Sequence, residues 1–247
     1  AADMDTTLPD SGTENSQQRY LNLEQALQTY PQWQHVECAQ PPVVIEPFDA
    51  GLTNQCYLVQ AGDKRCVMRL NARNSRVMGL DRINEAVALH NAETAGLGAP
   101  IVYCSPEQGV LVTAYIEGRQ WTQAQVQTRF NLERLAGLLK QVHALPVTNK
   151  VLEPRQVTDH YWNGIRDQFV IIPPRFKALR QKMERLMLAT QSDYPQRCFC
   201  HNDMVCANII DTGNRLFLLD WEYAAMGDPL FDVAVIVHNH QLDEQQM

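Results

Sequence analysis

The chain has 247 residues, 45% of them apolar, and a formal net charge of −7. That is enough for one large or two small packed domains, and the acidic balance, with no long run of Lys or Arg, argues against a nucleic-acid or membrane-surface partner. No apolar run approaches the roughly 20 residues that span a bilayer and no secretory signal is visible, while seven scattered cysteines, an odd number, suit reduced thiols in a cytoplasmic protein.

Residues 1–20 are polar and rich in Asp, Thr and Ser, and are expected to form a disordered tail. Leu21–Trp33 has helical apolar spacing, with Pro31 as its stop. The period then changes to two. Val43–Phe48, Gln55–Gln60 and Arg65–Leu70 read as strands, the last two joined by the turn Ala61-Gly62-Asp63-Lys64. Asp81–Ala95 reads as an amphipathic helix with Ile83, Ala86, Val87 and Leu89 on or near its apolar face. Ile101–Ser105 and Gly109–Tyr115 complete a β-β-β-α-β-β order. Beyond Gly118 the chain turns mainly helical: Leu132–Val142 makes a strong apolar face, Val147–Trp162 reads as irregular, and Phe176–Ala189 is helical. Arg197–Cys200, Ala207–Asp211 and Leu216–Leu219 are short β-type segments, and Phe231–His238 is a final apolar helix. The fold class expected is α+β and bilobal. A small antiparallel-sheet lobe, 21–117, precedes a larger mainly helical lobe, 118–247, with a ligand cleft between them.

Two segments carry chemistry. His201-Asn202-Asp203-Met204-Val205-Cys206-Ala207-Asn208 fits H-x-D-x-x-x-x-N, the catalytic-loop spacing of protein kinases. A carboxylate there can orient an acceptor hydroxyl, and an amide oxygen five residues on can turn back to hold a metal. Leu216-Phe217-Leu218-Leu219-Asp220 then delivers a second carboxylate from a buried strand. Cys198, Cys200, His201 and Cys206 lie close enough in sequence to be drawn as a zinc site. No second CxxC completes it, however, and the alternation with Phe199 reads as a buried strand.

Cys200-His201-Asn202-Asp203 through Asn208, Asp220-Trp221-Glu222-Tyr223 and Gly227-Asp228-Pro229-Leu230-Phe231-Asp232 resemble the choline/ethanolamine kinase and thiamine kinase branch of the aminoglycoside-phosphotransferase-like superfamily. The resemblance covers roughly residues 43–240 and implies a protein-kinase-like fold. It implies Asp203 as catalytic base, Asn208 and Asp220 as Mg²⁺ ligands, and Asp232 as a brace for the catalytic loop. Glu222, with Trp221 and Tyr223 beside it, is implied near metal and acceptor. In the first lobe Gly51, Thr53 and Asn54 fall in the turn that covers phosphates in these enzymes, though alone this turn reads as a plain hairpin. Arg69 stands where protein kinases have Lys, with Glu85 as its partner, and the backbone near Ala114 and Ile116 resembles the adenine-reading hinge. The activity implied is ATP- and Mg²⁺-dependent phosphorylation of a small cationic alcohol such as choline, ethanolamine or thiamine. An aminoglycoside or sugar kinase, or a nucleotide-binding pseudokinase, are the alternatives. Related enzymes continue with helices that bear part of the acceptor pocket. Here the chain stops at Met247, so it is expected either to be short or to lack its C-terminus.

Overall fold

In a computed structural model of the chain, residues 20–48, 54–73, 75, 78–167, 171–190 and 197–246 are described; the expected tail lies almost wholly outside them. The Leu21–Trp33 segment divides into α1 (Leu23–Leu27) and a single 3₁₀ turn, Tyr30–Gln32. The division has a local cause. Asn22 and Gln25 close a capping box at the start, and Pro31 lacks the N–H that would continue the ladder.

The period-two segments form β1 (Val43–Phe48), β2 (Asn54–Ala61) and β3 (Lys64–Asn71). β1 contains Pro47 and is mostly exposed, which suits its edge position. β2 and β3 pair through a two-residue turn in which Gly62 sits at φ +59° against the Glu37 carbonyl, so only glycine fits. α2 (Arg82–Thr94) follows, capped by the Asp81 carboxylate, which accepts from the N–H groups of Ile83 and Asn84. β4 (Ile101–Ser105) and β5 (Val110–Ala114) complete a five-stranded antiparallel sheet of order β1-β2-β3-β5-β4.

The buried face of α2 differs from the expected one. Ile83 and Val87 are 66% and 46% exposed, while Arg82, Asn84, Glu85, Ala88, Leu89 and Ala92 point inward. Burial of Arg82 and Glu85 against partners in both lobes fixes the helix phase, and at 100° per residue Ile83 and Val87 must then face out.

The second lobe begins with β6 (Arg119–Gln120), α3 (Gln123–Val126) and α4 (Arg129–His143). The stretch expected to be irregular contains α5 (Pro154–Asp167), which packs on α6 (Pro174–Thr190). Val157, Tyr161 and Ile165 make a narrow stripe at i, i+4, i+8, and Pro154 opens the helix. The remaining elements are β7 (Cys198–Cys200), β8 (Ile209–Asp211), β9 (Leu216–Leu218), β10 (Ala225–Gly227) and α7 (Pro229–His240). β7 pairs with β10, and β6, β8 and β9 form a three-stranded sheet. One buried cluster joins Leu135, Leu138, Phe199, Met204 and Trp221 to Ala88 and Leu89 of α2, so α2 belongs to both lobes. Gly118 marks the crossing between the lobes; a Cβ there would lie 2.9 Å from the Asp211 carbonyl oxygen. Among the described residues no helix is long and apolar enough to cross a membrane.

Asp211 ties this crossing together. It accepts a forked pair from Arg134 at 2.6 and 2.8 Å and a third bond from the Trp121 indole at 3.0 Å. The Arg134 guanidinium holds its carboxyl well below the usual carboxylate range. A lowered acid stabilises the fold above its unfolded pKa and loses that stabilisation as pH falls. Asp211→Asn is therefore expected to lower stability in urea by about 1–3 kcal/mol at neutral pH. The gap to wild type should shrink progressively below about pH 4.

Candidate active site

The loop between β7 and β8 carries His201 to Asn208. Its conformation is imposed from α7: the fully buried Asp232 carboxylate accepts from the backbone N–H of His201 at 3.0 Å and of Asn202 at 2.6 Å. Asn202 lies at φ +67° and Asp220 at φ +59°, left-handed conformations that cost non-glycine residues roughly 1–3 kcal/mol and persist only where surrounding bonds hold them. His201 links the two. Its Nε2 donates to the Leu219 carbonyl at 3.0 Å, and its Nδ1 accepts from the Asp203 N–H at 3.2 Å. Both bonds are satisfied together only by the neutral ring, and burial pushes its pKa down to about 4.

Asn208 donates both amide hydrogens to Asp203, at 2.9 Å to its carbonyl and 2.8 Å to its carboxylate. That leaves the Asn208 amide oxygen as the atom to offer a cation. Its backbone carbonyl accepts from the Leu219 N–H, which holds the end of β9 beside the loop. Asn208, Asp220 and Arg69 all line a cleft of about 530 Å³ between the lobes. Ala114, Tyr115, Ile116 and Gly118 line it as well, with Tyr115 anchored through its N–H to the Arg65 carbonyl.

A chain of alternating charges crosses the cleft. Arg69 pairs with Glu85 at 2.6 Å and Asp220 at 3.2 Å; Arg82 pairs with Glu85 and with Glu222, each at 2.8 Å. Asn54 spans the same gap, accepting from Arg82 and donating to Glu222, each at 3.0 Å. Burial opposes the charge on Glu85, yet Arg69 and Arg82 hold its carboxyl below the ordinary range. Asp220 goes the other way. Burial, with Glu222, Glu85 and Asp203 as near negative charges, pushes it up to about 7 against the pull of Arg69. Asp203 is also raised, first by burial and then by Glu222, while its bond from Asn208 opposes the shift. Four carboxylates (Glu85, Asp203, Asp220, Glu222) thus face two guanidiniums (Arg69, Arg82), so acidic groups outnumber these basic ones. This donor set, an amide oxygen and carboxylates in negative excess, fits a hard divalent cation.

A sequence profile of the Phosphotransferase enzyme family matches residues 44–246. The chain belongs to this family. It is 28% identical to Protein LicA of Haemophilus influenzae over 211 residues, 81% of this chain and 60% of that protein. It is 27% identical to ethanolamine kinase 2 of Mus musculus over 202 residues, 75% of this chain and 50% of that protein. The chain therefore spans only about half to three fifths of these relatives. Among solved structures, choline kinase LicA from Streptococcus pneumoniae superposes with a TM-score of 0.72 at 25% identity, covering 82% of this chain and 73% of that one. A choline/ethanolamine kinase family protein from Mesorhizobium loti gives 0.64 at 26%, covering 84% and 67%.

Of the family positions anticipated from sequence, Asn54, Arg69, Glu85, Ala114, Ile116, Asn208 and Asp220 gather at this cleft or its buried ion chain. Asp203 joins them through Asn208. Gly51 and Thr53 lie outside the described residues. Trp221 lines the cleft but is 1% exposed; its ring meets His201 edge-on at 4.7 Å, and its indole donates to the Leu218 carbonyl. Glu222 is equally buried, with Arg82 and Asn54 as partners. Tyr223 stays half-buried, and burial with the Glu222 charge pushes its phenol up to about 12. Trp162 of α5 lies under Arg180, whose guanidinium carbon is 4.8 Å from the ring centre.

Two participants were not anticipated. Arg82 reads in sequence as a solvated helix charge, and its inward turn shows only in the fold. Lys150 feels the same carboxylates; burial lowers its pKa despite the pull of Asp81, Glu85 and Glu222.

The neutrality of His201 has a measurable consequence. A base whose folded pKa lies below its unfolded value stabilises the fold above the unfolded pKa, and the stabilisation drains as pH falls toward the folded one. Between about pH 6.5 and pH 4, His201 alone is expected to remove about 3 kcal/mol, read from urea midpoints at fixed pH. His201→Gln should lower stability at pH 7 and flatten the profile in that window. A slope that persists in the variant belongs to other groups.

Proposed function

We propose that the chain transfers the γ-phosphoryl group of ATP to the hydroxyl of a small cationic alcohol of the choline or ethanolamine type. The observation that carries the reading is the meeting, in one cleft, of Asn208 and Asp220 with the paired Arg69 and the strand end at Ala114–Ile116, with Asp203 bonded to Asn208. Family membership supports the reaction class, and the similarity to LicA and the ethanolamine kinases supports the acceptor class. On this reading residues 21–117 form the nucleotide-covering lobe and 118–247 the catalytic lobe. A cytoplasmic site of action accords with the donor and with seven thiols free of disulfides.

Adenine takes the end of the cleft lined by Ala114, Tyr115 and Ile116, beside the strand-end backbone. Arg69 faces the phosphates. Glu85 holds its fork in place, and Asn71 accepts from its Nε at 3.1 Å. Mg²⁺, when bound, would neutralise phosphate charge, with the Asn208 amide oxygen and the Asp220 carboxylate as the residues to hold it. Asp203 accepts or orients the acceptor hydroxyl proton. Its raised pKa makes it a better proton acceptor than an exposed aspartate, and the Asn208 bond fixes its carboxylate. Catalysis is then mainly positioning and charge stabilisation.

Asp203→Asn separates chemistry from binding. Turnover is expected to fall by about 10²–10⁴, with ATP affinity within about twofold of wild type by calorimetry. Turnover within about tenfold of wild type would remove Asp203 from the base role.

The acceptor side is bordered by Asp203, Glu222 and Tyr223, with Tyr161 of α5 near Tyr223. Because Glu222 is tied to Arg82, the aromatic faces of Tyr223 and Tyr161 are the stronger source of preference for a quaternary or primary ammonium. A panel of choline, ethanolamine, thiamine and a neutral sugar should rank the first two highest. Tyr223→Ala should raise KM for the favoured cation by roughly tenfold and leave the neutral alcohol nearly unchanged. A sugar phosphorylated as efficiently as the cations sinks the acceptor assignment and leaves the kinase reading in place.

A further inference from the structure

The cysteine cluster of the sequence does not assemble as the sequence groups it. His201 spends both ring nitrogens on the catalytic loop and Leu219, and Cys206 Sγ lies 3.2 Å from His240 Nδ1. Another histidine takes the vacant role. β7 is extended, so Cys198 and Cys200 project to one face with Phe199 on the other. Their sulfurs lie 3.8 Å apart. Two thiolates bound to one tetrahedral ion at about 2.3 Å each are separated by about 3.8 Å. His143, the last residue of α4, comes in from a different element. One of its ring nitrogens and both sulfurs lie within 4.8 Å of one another.

We propose that His143, Cys198 and Cys200 form a second metal site, for a thiophilic divalent cation of the zinc class, apart from the oxygen-lined phosphate site. Three further features suit a cation here. Asp232 bonds His143 Nε2 at 3.0 Å, the kind of carboxylate partner that ligating histidines usually keep, and this leaves Nδ1 as the nitrogen to offer an ion. The C-terminal end of the fifteen-residue α4 presents the negative end of its dipole. Burial, with Asp232 and Asp228 as near negative charges, raises both thiols, so the sulfurs ionise only with a cation beside them, and the same charges attract one. Cys200 is fully buried, while Cys198 and His143 keep partial exposure, so the site is enclosed yet reachable. Thiolate ligands select zinc over magnesium. On binding, each cysteine releases its S–H proton to solvent and its sulfur lone pair goes to the ion. Asp232 also accepts from the N–H groups of His201 and Asn202, so an occupied site is one carboxylate away from the catalytic loop.

The test uses the whole chain, stripped with a chelator under reducing conditions and titrated with Co²⁺. Thiolate coordination gives a near-ultraviolet charge-transfer band that oxygen ligands do not, so the phosphate site is silent in this readout. The band is expected to saturate at one equivalent, to disappear when Zn²⁺ is added, and to survive excess Mg²⁺. Cys198→Ser and His143→Gln, chosen because neither residue is fully buried, should each weaken binding by roughly tenfold or more. Cys38→Ser, in the other lobe, should titrate like wild type. Absence of the band in the wild-type chain, or either site variant binding within tenfold of wild type while circular dichroism shows it folded, overturns the proposal.

Discussion

The alternating chain Asp220–Arg69–Glu85–Arg82–Glu222 is the constraint on which the site depends. Its members come from β3, α2 and the segment after β9, so the two lobes meet through charge as well as through the apolar contact of α2. Burying such a chain gains little net stability, because desolvation offsets most of the attraction. What it secures is geometry. Removing one member leaves its neighbour charged and buried, at a cost of about 3–5 kcal/mol, so the lobes are held at the spacing that satisfies all five. The inward turn of Arg82 follows from this requirement, and so does the outward turn of Ile83 and Val87.

A second constraint acts on the catalytic loop from behind. Asp232 fixes the backbone at His201 and Asn202, and neutral His201 carries that fixation across to Leu219, next to Asp220. Two left-handed residues, Asn202 and Asp220, are thus stabilised by one carboxylate and one imidazole. The loop therefore presents Asp203 and Asn208 on a rigid base. Positioning of this kind is what phosphoryl transfer asks of a protein, since the donor brings most of the chemistry with it.

Much of this was legible in the sequence, and the limits have physical causes. The strands of the first sheet announce themselves through period-two alternation and a glycine turn, and the catalytic loop through the spacing of His201, Asp203 and Asn208. β6 and β10, two and three residues long, are too short to carry a pattern. α5 has only a narrow apolar stripe on a polar helix, so Tyr161 stayed hidden with it. Arg82 was illegible because a buried arginine and an exposed one look alike until their partners are known. The pairing of β7 with α4 is of the same kind: Cys198 and Cys200 advertise themselves, but His143 lies 55 residues earlier and only the packed helix delivers it.

These residues also explain why Glu222 resists assignment by motif alone. In sequence its neighbours Asp220 and Tyr223 suggest a carboxylate free to meet metal or acceptor. In the fold it is 3% exposed and shares Arg82 with Glu85. A carboxylate so placed acts through the field it leaves at Asp203, Asp220 and Tyr223, each of which it shifts upward in pKa. Its contribution is to hold Asp203 and Asp220 more basic than exposed aspartates.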